Sequence, residues 1–529
     1  MTNLEWARNT AEALSRLGVN HACISPGSRN TPLKIAFINH KKINCHSIID
    51  ERSSGFLALG LAKSTQKPVV IITTSGTATA NLYPAIIESN LSRIPILILT
   101  ADRPPHLVGT GANQTINQQD IYGQQVRGYI DIGLPQHLEH LLMILKKFYL
   151  LAAGLSHFGG KINPAGPVHL NFPFDEPLIE QKDIQKVSKF NETIYNRLKI
   201  NMTGNLVNHN YVPDNLINQI LTSKNTLIVC GEGLNEQELS YLVKFSEKYQ
   251  IPIFADVLSN LRFKYKSKFI LCHYNNYLNK LKKVELIIRF GKKPNSKLLN
   301  NLLDNKRNIV NLFEPIGRFN DDSQHIHPHS ILGFPLSGEK LNQSNFNQIL
   351  FEQEKRYKSN NEHYINHLLN LIPKNSQLFI GNSLPIREID KIASNLKREI
   401  SVLGSRGASG IDGIISTAIG LSIANPDKNT FLIIGDVSFF YDLSALQLAK
   451  SLGANLKIFV INNRGGQIFN KLPYANFGIK DFKKFWITNP NLDIKKTADL
   501  FNFYYFRVTD YYELKKINLK NQLITEIIV

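Results

Sequence analysis

TFLIIGDVSFFYDLSALQLAKSLGANLKIFVINNRGG, residues 430–466, decides the fold. It opens on an apolar run, TFLIIGDVS (430–438), broken by Gly435-Asp436. LSALQLAKSLG follows with helical spacing. A second apolar run, LKIFVINN (456–463), ends at Asn462-Asn463 and is followed by Arg464-Gly465-Gly466. Short continuous apolar runs flanking a helical stretch predict buried parallel strands with a covering helix between them. Both polar endings then fall at carboxyl ends of neighbouring strands, where open α/β sheets bind ligands. An Asp carboxylate, an Asn carbonyl and a main-chain carbonyl in a glycine turn are hard oxygen donors. They suit Mg²⁺, and Mn²⁺ accepts the same set. Each ending alone is common; the two at this spacing carry the reading.

The alternation extends back through the chain. HACIS (21–25), PVVIITT (68–74) and IPILILT (94–100) read as strands, with helices over 52–64 and 76–90. A polar, proline-bearing linker is expected near 175–215. TLIVCGEG (226–233), IPIFAD (251–256), ELIIRFG (285–291) and NIVNLF (308–313) form a second set, and another polar stretch lies near 335–365. SQLFIGNS (376–383) and ISVLG (400–404) join the opening stretch in a third. The fold class expected is α/β, with three domains of mainly parallel sheet over 1–185, 205–340 and 355–529.

Composition narrows the function classes. With 43% hydrophobic and 19% charged residues, the 529-residue chain is not disordered. Four scattered cysteines (Cys23, Cys45, Cys230, Cys272) without a CxxC pair exclude a disulfide scaffold and argue against zinc. No apolar run reaches the roughly 18 residues of a membrane span, so no membrane insertion is expected. Glu5, Arg8 and Glu12 occupy the place of a signal peptide's apolar block. A bacterial cytoplasm or a plastid stroma is the expected compartment. The net charge of +19 invites nucleic acid. The basic residues are scattered and follow no nucleic-acid-binding motif, so no nucleic-acid partner is expected. Gly231-Glu232-Gly233 is too short a fragment for a dinucleotide fingerprint.

The Gly-Asp to Asn-Asn spacing resembles the thiamine-diphosphate (ThDP) motif. By that resemblance Asp436, Asn463 and the Gly465 carbonyl hold the metal that bridges the diphosphate. The generic motif has a third glycine where this chain has Val437-Ser438. ThDP enzymes also need a glutamate that hydrogen-bonds the aminopyrimidine ring and so activates the cofactor. Glu51, in IIDERSSGFLALGLAK, is the candidate, although an acidic residue opening a helix is also what the helix dipole favours. Thr73 to Thr77 form a hydroxyl-rich turn before a helix, suited to polar cofactor contacts, Thr77 among them.

CISPGSRNTPL (23–33), DERSSGFLALGLAK (50–63), TTSGTATANLYPAIIES (73–89), LTADRPP (99–105), GANQTINQ (111–118), GNSLPIR (381–387), SRGASGIDG (405–413), GDVSFFYDL (435–443) and NNRGGQIF (462–469) occur in order. Together they resemble the MenD family, the 2-succinyl-5-enolpyruvyl-6-hydroxy-3-cyclohexene-1-carboxylate (SEPHCHC) synthases. The Val437-Ser438 variant agrees with this branch. The resemblance implies pyruvate-decarboxylase-like architecture, with a pyrimidine-binding first domain, a nucleotide-fold-like middle domain and a diphosphate-binding third. It implies decarboxylation of 2-oxoglutarate and addition of the succinyl unit to isochorismate, releasing CO₂, toward menaquinone or phylloquinone.

Both substrates are dicarboxylates, for which arginine forks are the natural partners. By resemblance Ser28, Arg29, Arg103 and Gln114 lie on the first-domain side of the pocket. Ser383 and Arg387 hold the succinyl carboxylate, and Arg406 joins them or the isochorismate site. Ile411 is the apolar wedge beneath the bent cofactor. Ser438 and Ile468 contact the cofactor, and Phe469 lines the pocket beside Ile468. Lys297, in GKKPNSKLL, stands where the family carries a basic residue from its middle domain. A homodimer or homotetramer is implied, with Glu51 and Asp436 meeting across subunits. The alternative is another ThDP-dependent carboligase or decarboxylase of smaller oxoacids, against which the arginines and Val437-Ser438 stand.

Overall fold

The computed structural model describes residues 1–529 apart from 156, 159–160, 186–189, 201–211, 282–283, 306, 317–320, 324, 338–344, 359–362, 397 and 521. The polar linkers expected near 175–215 and 335–365, and the bounds 205 and 340, fall partly or wholly outside the described residues. The apolar runs form three six-stranded, wholly parallel sheets.

The first sheet holds β1 (His21–Ile24), β2 (Asn44–Ser47), β3 (Val69–Thr73), β4 (Ile96–Asp102), β5 (Tyr129–Asp131) and β8 (Pro167–Pro173), in the order β2-β1-β3-β4-β8-β5. β6 (His157–Phe158) and β7 (Lys161–Ile162) pair apart as a small antiparallel ribbon. The second holds β9 (Thr226–Cys230), β10 (Ile253–Ala255), β11 (Ile270–Leu271), β12 (Leu286–Phe290), β13 (Ile309–Phe313) and β14 (His325–His327), in the order β11-β10-β9-β12-β13-β14. The third holds β15 (Gln377–Ile380), β16 (Ser401–Gly404), β17 (Thr430–Gly435), β18 (Leu456–Asn462), β19 (Tyr504–Val508) and β20 (Leu523–Ile528), in the order β16-β15-β17-β18-β20-β19.

Counted within each sheet, the first and third share the order 2-1-3-4-6-5. The middle sheet runs 3-2-1-4-5-6, the order of dinucleotide-binding folds. The single helix expected over 76–90 is two, Thr77–Asn81 and Tyr83–Ser92. Pro84 lacks an amide hydrogen, which suits it to the first turn of a new helix.

The first and third domains share one hydrophobic core, in which Leu57 and Leu61 meet Ile415 and Ile419. The helices Glu51–Thr65 and Ile414–Ala424 cross there at glycines. A Cβ on Gly60 would fall 2.1 Å from the Thr417 carbonyl oxygen, and one on Gly420 would fall 2.3 Å from that of Leu57. The backbones approach this closely only because neither residue has a side chain.

Lys63, at the end of the first of these helices, ties all three domains together. Its Nζ donates to the Gly404 carbonyl and pairs with Glu232 Oε1 at 3.1 Å. Glu232 also takes Lys292 Nζ at 3.0 Å. The middle and third domains are joined by Arg262 and Asp390, a buried pair at 2.7 Å.

Candidate active site

The sequence-predicted residues gather at carboxyl ends of strands in the two outer sheets. In the third domain, β17 ends at Gly435 and Asp436 opens the helix Asp436–Tyr441. In β18, Ile461 lies opposite Gly435, which brings the Asn463–Gly466 turn alongside. Asp436 Oδ2 accepts the Gly465 amide at 2.7 Å. Asp436 and Ser438 are buried, at 3% and 4% exposure. Burial pushes the Asp436 carboxyl above its ordinary value, and backbone amides, Gly465 first, pull it back.

The donor set fits a hard divalent cation. Asp436 offers a carboxylate whose charge burial disfavours, Asn463 stands beside the turn, and Gly465 takes φ +113°. A Cβ at Gly465 would meet the Ile487 carbonyl oxygen at 2.4 Å, so a glycine is required there. A Cβ at Gly435 would meet no protein atom within 4 Å, which leaves its backbone open to close approach by a ligand. Ile468 and Phe469 follow in the 3₁₀ turn Gln467–Lys471, both partly buried.

Ser383 leaves β15 at φ +71°, a conformation that costs a non-glycine residue about 1–3 kcal/mol. It precedes the helix Leu384–Ile392, from which Arg387 donates back to the Ser383 carbonyl at 2.8 Å. Arg387 is exposed. Arg406 donates to Asn382 Oδ1 at 3.1 Å. Burial, and then the charge of Arg387, lower the Arg406 pKa. Ile411 is half-buried just before the Ile414–Ala424 helix.

In the first domain, Asp50 caps the helix Glu51–Thr65 by accepting the amides of Arg52 and Ser53. Glu51 is half-buried at its first position. Its neighbours touch the third domain of the same chain: Ser444 Oγ donates to Asp50 at 3.2 Å, and Arg52 lies 3.8 Å from the buried Asp442 carboxylate.

Arg29 is buried after β1 and donates to the Phe174 carbonyl at 3.0 Å and to Glu176 at 3.2 Å. Arg103 follows β4 and donates to Ser75 Oγ. Its pKa is lowered by burial and by the charge of Arg29. Gln114 Nε2 donates to the Ser75 carbonyl at 3.1 Å, and Ser75 Oγ donates to the Gln114 carbonyl at 3.0 Å. Ser28, Thr77 and Gln114 are exposed.

Lys297 belongs to the middle domain. It is exposed at the start of the helix Lys297–Leu303. Lys292 and Lys293 of the middle domain line, with Arg406, a polar cavity of about 560 Å³ between the three domains.

Three residues of this architecture escaped the sequence reading. Gln118 Oε1 accepts the Gly76 amide at 2.9 Å and fixes the hydroxyl-rich turn. Asn382 Nδ2 donates to the carbonyls of Ser405 and Gly410 at 3.0 and 2.7 Å. Glu88, a lone acid in an apolar helix, holds the same loop from the first domain. All three lay inside quoted motifs, but nothing local marked Glu88 as a partner of the third domain. Among the described residues, no helix is long and apolar enough to cross a membrane.

This geometry agrees with comparison to known proteins. The thiamine pyrophosphate enzyme N-terminal TPP-binding domain matches residues 5–121, and the C-terminal TPP-binding domain matches residues 393–522. The class is therefore that of thiamine-diphosphate enzymes. Similarity to single proteins is narrower. The chain is 35% identical to 2-succinyl-5-enolpyruvyl-6-hydroxy-3-cyclohexene-1-carboxylate synthase of Listeria innocua, covering 96% of this chain and 89% of that protein. It is 36% identical to the synthase of the same name from Bacillus pumilus over 87% and 82% of the two chains. With that of Roseiflexus the figure is 32%, over 96% and 91%. The chain belongs to the SEPHCHC synthase family.

Proposed function

We propose that this chain decarboxylates 2-oxoglutarate and adds the succinyl unit to isochorismate, releasing CO₂. Its domains divide near 1–185, 205–340 and 355–529. The observation that carries the reading is the bond between Asp436 and the Gly465 amide. It unites the two halves of the cofactor motif in a chain whose family match spans all three sheets.

Asp436, Asn463 and the Gly465 carbonyl would hold Mg²⁺ or Mn²⁺. Thiamine diphosphate, when bound, supplies the electron sink for loss of CO₂. Glu51 exchanges a proton with a ring nitrogen of the pyrimidine through its carboxylate. Thr77, Ser438 and Ile468 would contact the cofactor, and Ile411 would support it. The guanidinium of Arg387, with Ser383, binds the distal carboxylate of 2-oxoglutarate. Arg29 and Arg103, with Ser28 and Gln114, orient isochorismate from the first domain, and Arg406 adds a fork between the two. Phe469 would help exclude water from the pocket.

A homo-oligomer completes the site, with Glu51 of one subunit facing Asp436 of the next. Exposed apolar side chains flank both halves and support this: Ile49 beside Glu51, Tyr441 ending the Asp436 helix, and Phe477 beyond the metal turn.

The test is isochorismate consumption followed by absorbance, with ThDP, Mg²⁺ and either 2-oxoglutarate or pyruvate. Loss of isochorismate with 2-oxoglutarate alone, and only with ThDP, is expected. Consumption of pyruvate in its place would move the chain to the smaller-oxoacid carboligases.

A further inference from the structure

Glu88 lies in the helix Tyr83–Ser92 of the first domain, 3% exposed. Its carboxylate serves the third domain. Oε1 accepts the Gly407 amide at 2.9 Å, and Oε2 accepts those of Ala408 at 2.6 Å and Ser409 at 3.3 Å. Ser92 Oγ, one turn along, donates to Oε1 at 2.6 Å. Burying a carboxylate is unfavourable unless several donors meet it. Here four do, and three belong to one loop.

That loop, Ser405–Gly410, is also held from its own domain, where Asn382 takes the carbonyls of Ser405 and Gly410. A Cβ on Gly407 would fall 2.8 Å from Ser92 Oγ and 2.9 Å from the Glu88 carbonyl oxygen, so the loop sits directly on the helix. Arg406 stands at the start of this loop and Ile411 immediately after it.

We propose that Glu88 is a positioning residue for the reaction: by gathering the amides of Gly407, Ala408 and Ser409 it fixes the direction of Arg406 and the place of Ile411. This rests on the reading of the site given above. Glu88 reaches neither substrate nor cofactor; it acts through the loop. A carboxamide in its place would turn an N–H toward amide N–H groups, so Gln is a disruptive substitution there.

The experiment compares the full-length wild type with Glu88→Gln, Ser92→Ala and Leu242→Ala. Leu242 is buried in the middle-domain core, away from the loop, and reports what lost stability does by itself. ThDP affinity in Mg²⁺ is measured by calorimetry, KM and kcat for both substrates by absorbance, and Tm by melting. Glu88→Gln is expected to lose about tenfold or more in kcat/KM, and Ser92→Ala about threefold, because small misplacements at a site are amplified in rate. Leu242→Ala keeps its KM values even with an equal fall in Tm.

Retention of kcat/KM within about twofold in Glu88→Gln overturns the positioning role. Where that variant does not fold, the same retention in Ser92→Ala overturns it. A wild type that binds ThDP but consumes no isochorismate overturns the reaction instead. The clamp is then read from ThDP affinity: weakened binding in Glu88→Gln upholds it, and unchanged binding overturns it.

Discussion

The Asp436 carboxylate accepts the Gly465 amide at 2.7 Å, joining the end of β17 to the turn after β18. Asp436→Ala removes this bond together with the one carboxylate of the proposed metal set. ThDP affinity in Mg²⁺ should fall by about 100-fold or more, since losing a direct ligand should cost at least what losing an outer-shell partner does. Calorimetric titration with and without Mg²⁺ checks it, since the residual binding should no longer respond to the metal.

Glu51→Gln should abolish turnover and leave ThDP affinity within about threefold of wild type, because the substitution removes a proton-transfer group without changing shape. Rate and calorimetry together decide. Full activity in this variant would remove Glu51 from the mechanism.

Arg387 is exposed, and its guanidinium is held by the Ser383 carbonyl. Arg387→Ala should raise the KM for 2-oxoglutarate by about 10- to 100-fold, the scale of a lost charge-assisted fork, with little change in ThDP binding. Steady-state kinetics with each substrate varied in turn separates the two effects.

Burial would raise the Glu232 carboxyl, but the ammonium groups of Lys292 and Lys63 overcome it and hold the group down to about 2, against an ordinary 4.5. A depressed folded value means stability that is present above pH 4.5 and lost as pH falls toward 2. Lys63→Met leaves Lys292 in place, so about 2–3 kcal/mol should be lost at neutral pH rather than the full penalty of an uncompensated charge. Thermal melts from pH 7 to pH 3 should show a shallower acid slope in the variant.

Gly60→Ala tests the helix crossing. Helix propensity alone would favour alanine by about 1 kcal/mol. The clash of the new Cβ with the Thr417 carbonyl oxygen, 2.1 Å away, involves backbone on both sides and wins. A net loss of about 1–3 kcal/mol is expected, measured as a lower Tm. A neutral result would mean that the two helices can slide apart.

Much of this protein was set by local sequence. The central strands β3, β4, β9, β12, β17 and β18 are mostly apolar runs buried on both faces, interrupted only by such buried groups as Arg289 in β12 and Lys457 in β18, and such runs need no partner to be recognised. The endings Gly435-Asp436 and Asn462-Asn463 were legible for the same reason: the apolar run stops where the strand leaves the sheet. Edge strands were less so: β16 was read as ISVLG, but two others were not. Asn44–Ser47 and His325–His327 are polar and partly exposed, and only pairing to a neighbour makes them strands.

Strand order was equally hidden. The outer sheets and the middle sheet differ through which side of its neighbour each crossover returns to, a choice made by helix packing against the whole sheet. Glu88 shows the limit most plainly. In sequence it is one acid among Ala85, Ile86 and Ile87. Only docking of the first domain on the third brings three amides, some 320 residues away, to its carboxylate. A buried charge has meaning only through the donors that surround it, and those donors exist only once the chain has folded.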